Sequence, residues 1–313
     1  MADRLKDRVA IITGSGQGIG RAIAIGMAKE GAKVVTNNRK PGSSGGDAET
    51  VAREIMAKGG QALSFFGDVS RFEVAGEIVQ AAIDKFGRLD ILVNNAGISE
   101  PRAIWEMTEE EWDRVIGVCL KGAFNCTRFA CNMMKEQKWG RIINCTSASS
   151  AGSLELANYC AAKAGVIGLT KAVALDMGRY GVTCNAYAPQ ASTRMVKELA
   201  AKGVYQRRLE SGWMRKEGNE WLFSEQHVRS AEAAAPLTVY LATEEAADIN
   251  GTVFFAGGGE VSIYSESVRK ERIYRKETEG FWTVDELIEL VPKVLLKEYK
   301  NPAPSTPKVT LTR

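Results

Sequence analysis

Tyr159 and Lys163 lie four positions apart in the segment ANYCAAK. From Ala157 onward the apolar residues have helical spacing, so the two side chains share one helix face and the ammonium can lie beside the phenol. A free phenol has a pKa of about 10, and a neighbouring cation lowers that pKa because it stabilises the phenolate. The pair predicts a proton-transfer site, although Tyr-x-x-x-Lys also occurs on solvated helix faces.

A serine precedes this helix at the end of a predicted strand. The strand contains Ile142 and Ile143, and a Ser/Thr/Gly-rich loop follows it. Ser147 lies where the strand meets the loop. Its hydroxyl would hold the oxygen of a substrate while Tyr159 transfers the proton.

A glycine-rich turn lies near the N-terminus. The apolar run Arg8–Thr13 is followed by Gly14-Ser-Gly-Gln-Gly-Ile-Gly20 and then by a helical segment. A strand, a glycine turn and a helix in this order let backbone N–H groups and a helix N-terminus face a pyrophosphate. Gly14 allows the tight turn, Gly18 lets the backbone approach the phosphates, and Gly20 lets the helix pack on the sheet. The pattern predicts a dinucleotide site.

The residues after the second strand, Ala32–Thr36, bear on the choice of nucleotide. An acidic residue there accepts a hydrogen bond from the ribose 2′-hydroxyl of NAD, whereas basic residues accommodate the 2′-phosphate of NADP. Asn37 and Asn38 are followed by Arg39 and Lys40, and the next acid is Asp47. We predict NADP, with NAD as the alternative; both basic residues could instead be solvated loop charges.

Polar residues follow several other predicted strands. Asp68 would hydrogen-bond the adenine amino group or cap the next helix. The turn Asn94-Asn95-Ala96-Gly97 would brace the glycine turn and line the cofactor crevice, and residues near Thr193 would hold a nicotinamide carboxamide. The full predicted cofactor set is Gly14, Ser15, Gln17, Gly18, Ile19, Gly20, Asn38, Arg39, Asp68, Val69, Asn95, Ala96, Gly97, Tyr159, Lys163, Pro189 and Thr193.

The alternation of strands and helices predicts an α/β fold, a Rossmann-type doubly wound parallel sheet with helices on both faces. We expect a single domain over residues 1–261 and a C-terminal extension over 262–313 that packs on the domain or on a partner subunit. Within the domain, residues 194–230 would cover an apolar substrate, or simply pack as helices. The apolar side chains of that segment are Met195, Tyr205, Trp213, Met214, Trp221 and Phe223.

Composition excludes several classes of protein. The chain has 313 residues, a formal charge of +3 and no dense basic block, which argues against nucleic acid as a partner. No apolar run is long enough to span a membrane and the first residues are charged, so we expect a cytoplasmic protein. Its 6 cysteines form no Cys-x-x-Cys pair and predict reduced thiols, and with His227 as its 1 histidine we predict no metal site.

The motifs Thr13-Gly14-x-x-x-Gly18-x-Gly20, Asn94–Gly97, Ser147 and Tyr159-x-x-x-Lys163 occur together and in order. In them the chain resembles the short-chain dehydrogenases/reductases over residues 5–260. The resemblance implies hydride transfer between NAD(P) and a secondary alcohol or ketone. It also implies a homodimer or homotetramer that pairs through the helices of residues 108–135 and 157–178; a hetero-oligomer with a related chain is an alternative.

A narrower resemblance is to the (R)-3-hydroxyacyl-CoA dehydrogenase unit of peroxisomal multifunctional enzyme type 2 and its bacterial relatives. It rests on the Gly/Ser loop after the second strand and on the segments MKEQKWGRII, HVRSAEAAAPLTVYLA and FWTVDELIELVP. This resemblance implies a coenzyme A thioester as substrate. A dehydrogenase of a non-thioester alcohol is the alternative within the same class.

The chain departs from the family pattern at four places. Cys119 stands where the family usually has an asparagine that completes a proton relay with the lysine, and Gln190 replaces a glycine after Pro189. Asn38 stands where NAD-using relatives have aspartate. The spacing from Ser147 to Tyr159 is one residue shorter than usual, which leaves Thr146 as the alternative to Ser147. We assign catalysis to Ser147, Tyr159, Lys163 and Cys119; the departures make an impaired subunit that supports an active partner the second hypothesis.

Overall fold

A computed structural model describes residues 3–43, 45–215, 230–265, 273 and 282–297. The described strands form one eight-stranded sheet. They are β1 Val9–Ile12, β2 Lys33–Asn38, β3 Gln61–Phe66, β4 Ile91–Asn94, β5 Gly140–Cys145, β6 Val182–Gln190, β7 Val253–Gly257 and β8 Glu260–Ile263. Their order is β3-β2-β1-β4-β5-β6-β7-β8, and only the β7–β8 pair is antiparallel.

The first nine described α-helices lie between parallel strands along the chain, and a tenth follows the last described strand. They are α1 Gly18–Lys29, α2 Ala48–Ala57, α3 Phe72–Phe86, α4 Glu109–Ile116, α5 Gly122–Gln137, α6 Ala157–Met177, α7 Arg194–Ala201, α8 Val204–Glu210, α9 Ala235–Leu241 and α10 Val284–Leu290. No helix in these ranges is both long enough and apolar enough to cross a membrane.

The sheet is covered by a hydrophobic core on each face. Strand β1 supplies both cores, because successive side chains of a strand point to opposite faces. Ala10 and Ile12 pack with the buried side of α1, α2 and α9, whereas Val9 and Ile11 pack with α3, α5 and α6. The predicted doubly wound sheet with helices on both faces is confirmed.

The strand order reverses between β1 and β4. From β1 the chain proceeds to β2 and β3 on one side, and then crosses to β4 on the other. In an open parallel sheet, a crevice forms at such a reversal, outside the carboxyl ends of the strands. The turns after β1, β4 and β5, which carry the predicted site residues, open onto this edge.

The long helix predicted after Thr108 is interrupted. It begins as predicted, with a capping box in which the Thr108 side chain accepts from the Glu111 N–H and the Glu111 carboxylate accepts from the Thr108 N–H. One π-helical turn, Gly117–Lys121, then separates α4 from α5. Such turns insert one extra residue and often lie at functional sites. Cys119 lies in this turn.

The chain divides into two compact units, Met1–Tyr264 and Ser265–Arg313. The predicted boundary after residue 261 falls inside β8, which pairs with β7 in the first unit. In the second unit, α10 begins at a capping box between Thr283 and Glu286, and its Val284 and Ile288 are exposed. The packing of this unit on another surface stays a prediction.

All six cysteines are free thiols, and Cys119, Cys126, Cys145 and Cys184 are buried, as predicted for reduced core residues. In the described ranges, no three His, Cys, Asp or Glu side chains are grouped as metal ligands would be. His227, Trp221 and Phe223 lie outside the described residues.

Candidate active site

A cleft of about 1040 Å³ runs along the carboxyl ends of the strands. It begins at the turn after β1 and ends at α7 and α8. Most of the predicted site residues line it: Gly14, Gln17, Gly18, Ile19, Gly20, Asn38, Arg39, Asp68, Val69, Asn95, Ala96, Gly97, Ser147, Tyr159, Lys163, Pro189 and Thr193. Ser15 and Cys119 do not line it, contrary to the prediction that both are site residues.

The glycine turn presents backbone to the cleft. Gly18 has φ +55°, and a Cβ added there would approach nothing closer than Thr193 Cγ2 at 3.9 Å, so the space in front of it is open. At Gly20 a Cβ would lie 2.4 Å from the Gly14 carbonyl oxygen, which only glycine avoids. Because α1 begins at Gly18, the turn combines a helix N-terminus with an open backbone surface. These residues fit the pyrophosphate of a dinucleotide.

Asn95 braces this turn, as predicted. Its Nδ2 donates to the carbonyl oxygens of Thr13 at 3.0 Å and Gly14 at 3.2 Å. The buried Tyr187 hydroxyl donates to Asn95 Oδ1 at 3.1 Å. Sequence reasoning missed Tyr187; its only signal was a phenol at the carboxyl end of a predicted strand. The phenol orients the amide that shapes the turn.

Asn94 does not line the cleft, contrary to the prediction for both asparagines. Its Nδ2 donates to Thr127 Oγ1 at 2.9 Å and to Asn144 Oδ1 at 2.8 Å, inside the protein. Adjacent residues at a strand end point to opposite faces, so only one of the two can face the turn. Asn94 therefore ties β4 to β5 and α5.

Ser15 is also structural in its contacts. Its side chain is fully buried, and its hydroxyl accepts from the Asn37 N–H at 2.9 Å. The Ser15 N–H in turn donates to the Asn37 carbonyl oxygen at 2.9 Å. These two bonds hold the glycine turn against the end of β2. The Ser15 side chain therefore does not reach the cleft, where it was predicted to contact the cofactor.

The end of β2 forms the side of the cleft where the adenosine is predicted to bind. Asn38, Arg39 and Lys40 line it, and both basic side chains are exposed. The loop that follows is closed by Asp47, which accepts from the Gly42 N–H at 2.8 Å and caps α2 through the Thr50 N–H at 2.9 Å. In the part of the chain that is described, neither Arg39 nor Lys40 forms an ion pair.

Asp68 and Val69 line the cleft at the end of β3. The interpretation of Asp68 as a helix cap is wrong, because the N-cap residue of α3 is Arg71. Asp68 Oδ1 instead accepts from the Ser70 N–H at 3.0 Å and from the Ser70 hydroxyl at 2.7 Å. These bonds fix the carboxylate at the edge of the cleft.

Tyr159 and Lys163 share one face of α6, as their spacing predicted. Lys163 Nζ lies 5.6 Å from the centre of the Tyr159 ring and donates to the Cys145 carbonyl oxygen at 2.6 Å. The lysine is only 2% exposed. A charged amine so placed is held rigidly by β5 and lies next to the phenol.

The pKa of Tyr159 differs from the expectation. Burial raises it to about 12, while the charge of Lys163 and a side-chain hydrogen bond with Ser147 act to lower it. The lowering by lysine is therefore present, but desolvation of the phenolate outweighs it in the protein alone. The phenol is a neutral proton donor at physiological pH unless a further positive charge lies nearby.

Ser147 is better placed than Thr146 to meet a substrate. The Thr146 hydroxyl donates to the Lys163 carbonyl oxygen at 2.8 Å, and its side chain is buried. Ser147 is half-buried in the cleft and accepts from the Ser149 N–H at 3.2 Å, which leaves its own proton for another acceptor. The geometry favours Ser147.

Cys119 lies behind the cleft. Its thiol donates to the Ile98 carbonyl oxygen at 3.4 Å, and burial raises its pKa, so the thiol is neutral. A Cβ added to Gly97 would lie 3.6 Å from Cys119 Sγ and 3.7 Å from Lys163 Nζ. The cysteine is thus close to the lysine, and its predicted part in a proton relay stays a prediction.

The far end of the cleft is formed by α7 and α8, which follow the end of β6. Pro189 and Gln190 end β6, and Thr193 caps α7, with Oγ1 accepting from the Val196 N–H at 3.5 Å. Beyond them, Met195, Tyr205, Trp213 and Met214 line the cleft, where a substrate cover was predicted. Sequence reasoning missed Arg208, which lines the same end and is 5% exposed.

With this geometry in place, comparison with known proteins decides the family. The family model for short chain dehydrogenases matches residues 8–203. The chain belongs to the short-chain dehydrogenase family. The expected resemblance is therefore confirmed, and with it an oxidoreductase of this class.

The chain is similar in sequence to several proteins named for acyl-thioester chemistry and to a multifunctional enzyme. The chain is 42% identical over 204 residues to 3-oxoacyl-[acyl-carrier-protein] reductase of Synechocystis, covering 64% of the chain and 81% of that protein. It is 38% identical over 276 residues to hydroxyacyl-CoA dehydrogenase ChsB1 of Mycobacterium tuberculosis, covering 83% and 80%. It is 34% identical over 262 residues to peroxisomal multifunctional enzyme type 2 of Mus musculus, covering 82% of the chain but 32% of that longer protein.

A solved structure shows the same fold. The crystal structure of a short chain dehydrogenase from Mycobacterium avium matches with a TM-score of 0.77 and 36% identity, covering 93% of this chain and 96% of that chain.

Proposed function

We propose that the chain transfers a hydride between NAD(P) and the carbinol or carbonyl carbon of a 3-hydroxyacyl or 3-oxoacyl thioester. The observation that carries the proposal is one cleft that joins an open glycine turn to the Tyr159 phenol, with the Lys163 ammonium 5.6 Å from its ring. When bound, the nicotinamide supplies or accepts the hydride.

The chain's own residues supply orientation and a proton. Ser147 donates a hydrogen bond to the substrate oxygen, and Tyr159 gives the proton to that oxygen in reduction or removes it in oxidation. Lys163 holds its charge beside the phenol and stabilises the phenolate that forms when the proton leaves. Lys163 is buried and Tyr159 is partly buried, which limits the water that would weaken this interaction.

NADP is the cofactor we propose, with NAD as the alternative. Arg39 and Lys40 support it, because they line the cleft at the end of β2, and Asn38 carries no negative charge that would repel a 2′-phosphate. The double variant Arg39→Ala/Lys40→Ala should lower the kcat/KM ratio of NADPH to NADH by roughly 10- to 100-fold, since charged hydrogen bonds to a phosphate are lost. Arg53→Ala on α2, which pairs with Glu49 outside the cleft, is the matched control.

The thioester class rests on the relatives. One reduces an acyl group carried by acyl carrier protein, and another is named for hydroxyacyl-CoA. Coenzyme A is the carrier we propose. The apolar surface of Met195, Tyr205 and Met214 at the far end of the cleft can accommodate an acyl chain.

The experiment is a spectrophotometric assay of the purified chain. NADPH oxidation at 340 nm is followed with 3-oxoacyl-CoA, with the same acyl group on acyl carrier protein, and with simple ketones. We expect the coenzyme A thioester to have the highest kcat/KM. If only simple ketones are reduced, the thioester proposal is wrong and the chain is a dehydrogenase of a non-thioester alcohol.

Cys119 at the relay position favours one second candidate, a cofactor-binding subunit that supports an active partner. In that case NADPH would bind, no substrate would turn over, and activity would appear only with a related chain. Tyr159→Phe in this chain would then leave the activity of the complex unchanged.

We also propose that the chain forms a homodimer or homotetramer through α4, α5 and α6. Phe124 on α5 and Leu175 on α6 are exposed apolar residues, 45% and 84% accessible, in support of this. Light scattering of the purified chain should give a multiple of 34.0 kDa. A monomer mass would contradict the proposal, and co-purification of a related chain would indicate a hetero-oligomer.

A further inference from the structure

Arg208 is a buried cation in the wall of the cleft. It lies on α8 and is 5% exposed. Its Nη2 donates to the Leu154 carbonyl oxygen at 3.0 Å, whereas its Nε is buried without a hydrogen-bond partner. An unsatisfied donor on a charged group is costly to bury, so the site is incomplete in the protein alone.

Among the described residues, the acid that acts on Arg208 is Glu155, which is already engaged by another arginine. Glu155 accepts from Arg207 Nε and Nη2, both at 2.7 Å, in a bidentate pair. Among the described residues, no carboxylate lies within ion-pair distance of Arg208, although Glu155 acts on it at longer range. The guanidinium therefore keeps a positive charge that the protein compensates only in part.

The surroundings of Arg208 favour a small planar anion. Its guanidinium lies 5.5 Å from the Tyr205 ring centre and 5.3 Å from the Trp213 ring centre. The planar guanidinium matches a carboxylate through parallel N–H···O bonds. A phosphate of the thioester carrier is bulkier and more strongly hydrated, and fits a nine-tenths buried site less well.

Arg208 also contacts the segment that leads into α6, the helix that carries Tyr159. It binds the Leu154 carbonyl, five residues before Tyr159, and its charge lowers the pKa of the Cys160 thiol against the effect of burial. Tyr159 and Arg208 line the same cleft. A substrate that touches the phenol can reach the guanidinium with another part of its acyl chain.

We propose that Arg208 binds a carboxylate on the acyl portion of the substrate, so that the preferred substrate is an acyl thioester with a second, free carboxyl group. This inference rests on the proposed function, whose substrate class it narrows. Arg208 is then a binding residue that selects acidic over neutral acyl chains.

The test uses two 3-oxoacyl-CoA thioesters of equal chain length, one ending in methyl and one in carboxylate. The wild-type chain should prefer the acidic thioester. Arg208→Gln should lower kcat/KM for the acidic thioester by roughly 10- to 100-fold, because a charged hydrogen bond is lost, and lower it far less for the neutral one. Arg208→Lys should recover part of the preference.

Arg179→Gln is the matched control, since it removes an exposed guanidinium that lies 4.9 Å from the Tyr180 ring centre and does not line the cleft. It should keep the preference for the acidic thioester. Thermal unfolding of each variant separates loss of binding from loss of fold. An equal fall in kcat/KM for both thioesters in folded Arg208→Gln would overturn the inference.

Two further measurements are needed. One distinguishes an acyl carboxylate from a carrier phosphate as the anion bound by Arg208, and the other tests the inference independently of the proposed function. The first repeats the assay with the same two acyl groups as thioesters of an uncharged, truncated thiol. The preference for the acidic acyl group should remain. If it disappears, Arg208 binds the phosphates of the carrier and the inference is overturned. Glutarate binding to the NADPH-loaded protein, followed by calorimetry, needs no turnover. It should weaken about 10-fold or more in Arg208→Gln, and unchanged binding would overturn the inference even if no thioester is reduced.

Discussion

The two ends of the cleft are built differently. At the glycine-turn end, Asn95, Tyr187 and Ser15 are joined by hydrogen bonds to strands β1, β2 and β6. At the far end, α7 and α8 pack through a small apolar cluster that includes Leu199, separate from the two cores of the sheet. The predicted cofactor end thus depends on the central sheet, while the predicted substrate end depends on local contacts. In such an arrangement, one end can change its ligand without loss of the fold.

Tyr159 stands where the two ends meet, and its loss should have the largest effect. Tyr159→Phe removes the proton donor and keeps the ring, so kcat should fall by about 1000-fold, within the range for loss of a general acid. Stopped-flow or steady-state absorbance at 340 nm measures the change. NADPH affinity, measured by fluorescence, should stay within a few-fold. Retention of full turnover would remove this phenol from the mechanism.

Asn95→Ala should affect fold and cofactor together. The variant loses the hydrogen bonds to the Thr13 and Gly14 carbonyls and leaves the buried Tyr187 hydroxyl without its acceptor. We expect the free energy of unfolding to drop by about 1–3 kcal/mol and NADPH to bind more weakly. Urea unfolding and fluorescence titration give both values. If stability falls while NADPH affinity is unchanged, the turn does not depend on this amide.

Leu199→Ala should act on the other end alone. Leu199 is 8% exposed and packs with Val204 and Tyr205, so its truncation loosens α7 against α8. We expect KM for the thioester to rise several-fold with little change in NADPH affinity, because only α7 and α8 unfold locally more often. Ile143→Ala in the sheet core is the matched comparison and should lower the free energy of unfolding by about 2–5 kcal/mol. Equal thermal shifts in the two variants would mean that the ends unfold as one unit.

The ionisation of Tyr159 should have the smallest effect near neutral pH. Its pKa is raised to about 12 in the protein alone, above the value of about 10 for a free phenol. Its contribution to stability is therefore fully present below pH 10 and is lost as pH rises towards 12. The difference in absorbance at 295 nm between wild type and Tyr159→Phe should show no phenolate below about pH 10. Ionisation near pH 7 in the free protein would contradict this.

Local patterns were enough for much of the molecule. Helix and strand periods located the sheet, and spacing along one helix placed Lys163 beside Tyr159, because both depend on neighbours in the chain. The sequence did not indicate which face of the sheet a side chain would take at a strand end. Asn94 and Asn95 are adjacent residues of the same type, and only Asn95 faces the glycine turn, while Asn94 bonds to Asn144 inside the protein. The sequence likewise did not indicate that the Ser15 side chain would turn toward β2 and away from the cleft.

The sequence by itself determined the family motifs, the parallel sheet and the edge of the sheet where the motifs meet. Tertiary structure alone decided that Tyr187 would hold Asn95, that Arg208 would be buried at the far end of the cleft, and that burial would outweigh Lys163 in the pKa of Tyr159. These outcomes depend on contacts between residues far apart in the chain and on how much water remains around a charge. Neither quantity can be read from spacing, because both exist only after the chain has packed.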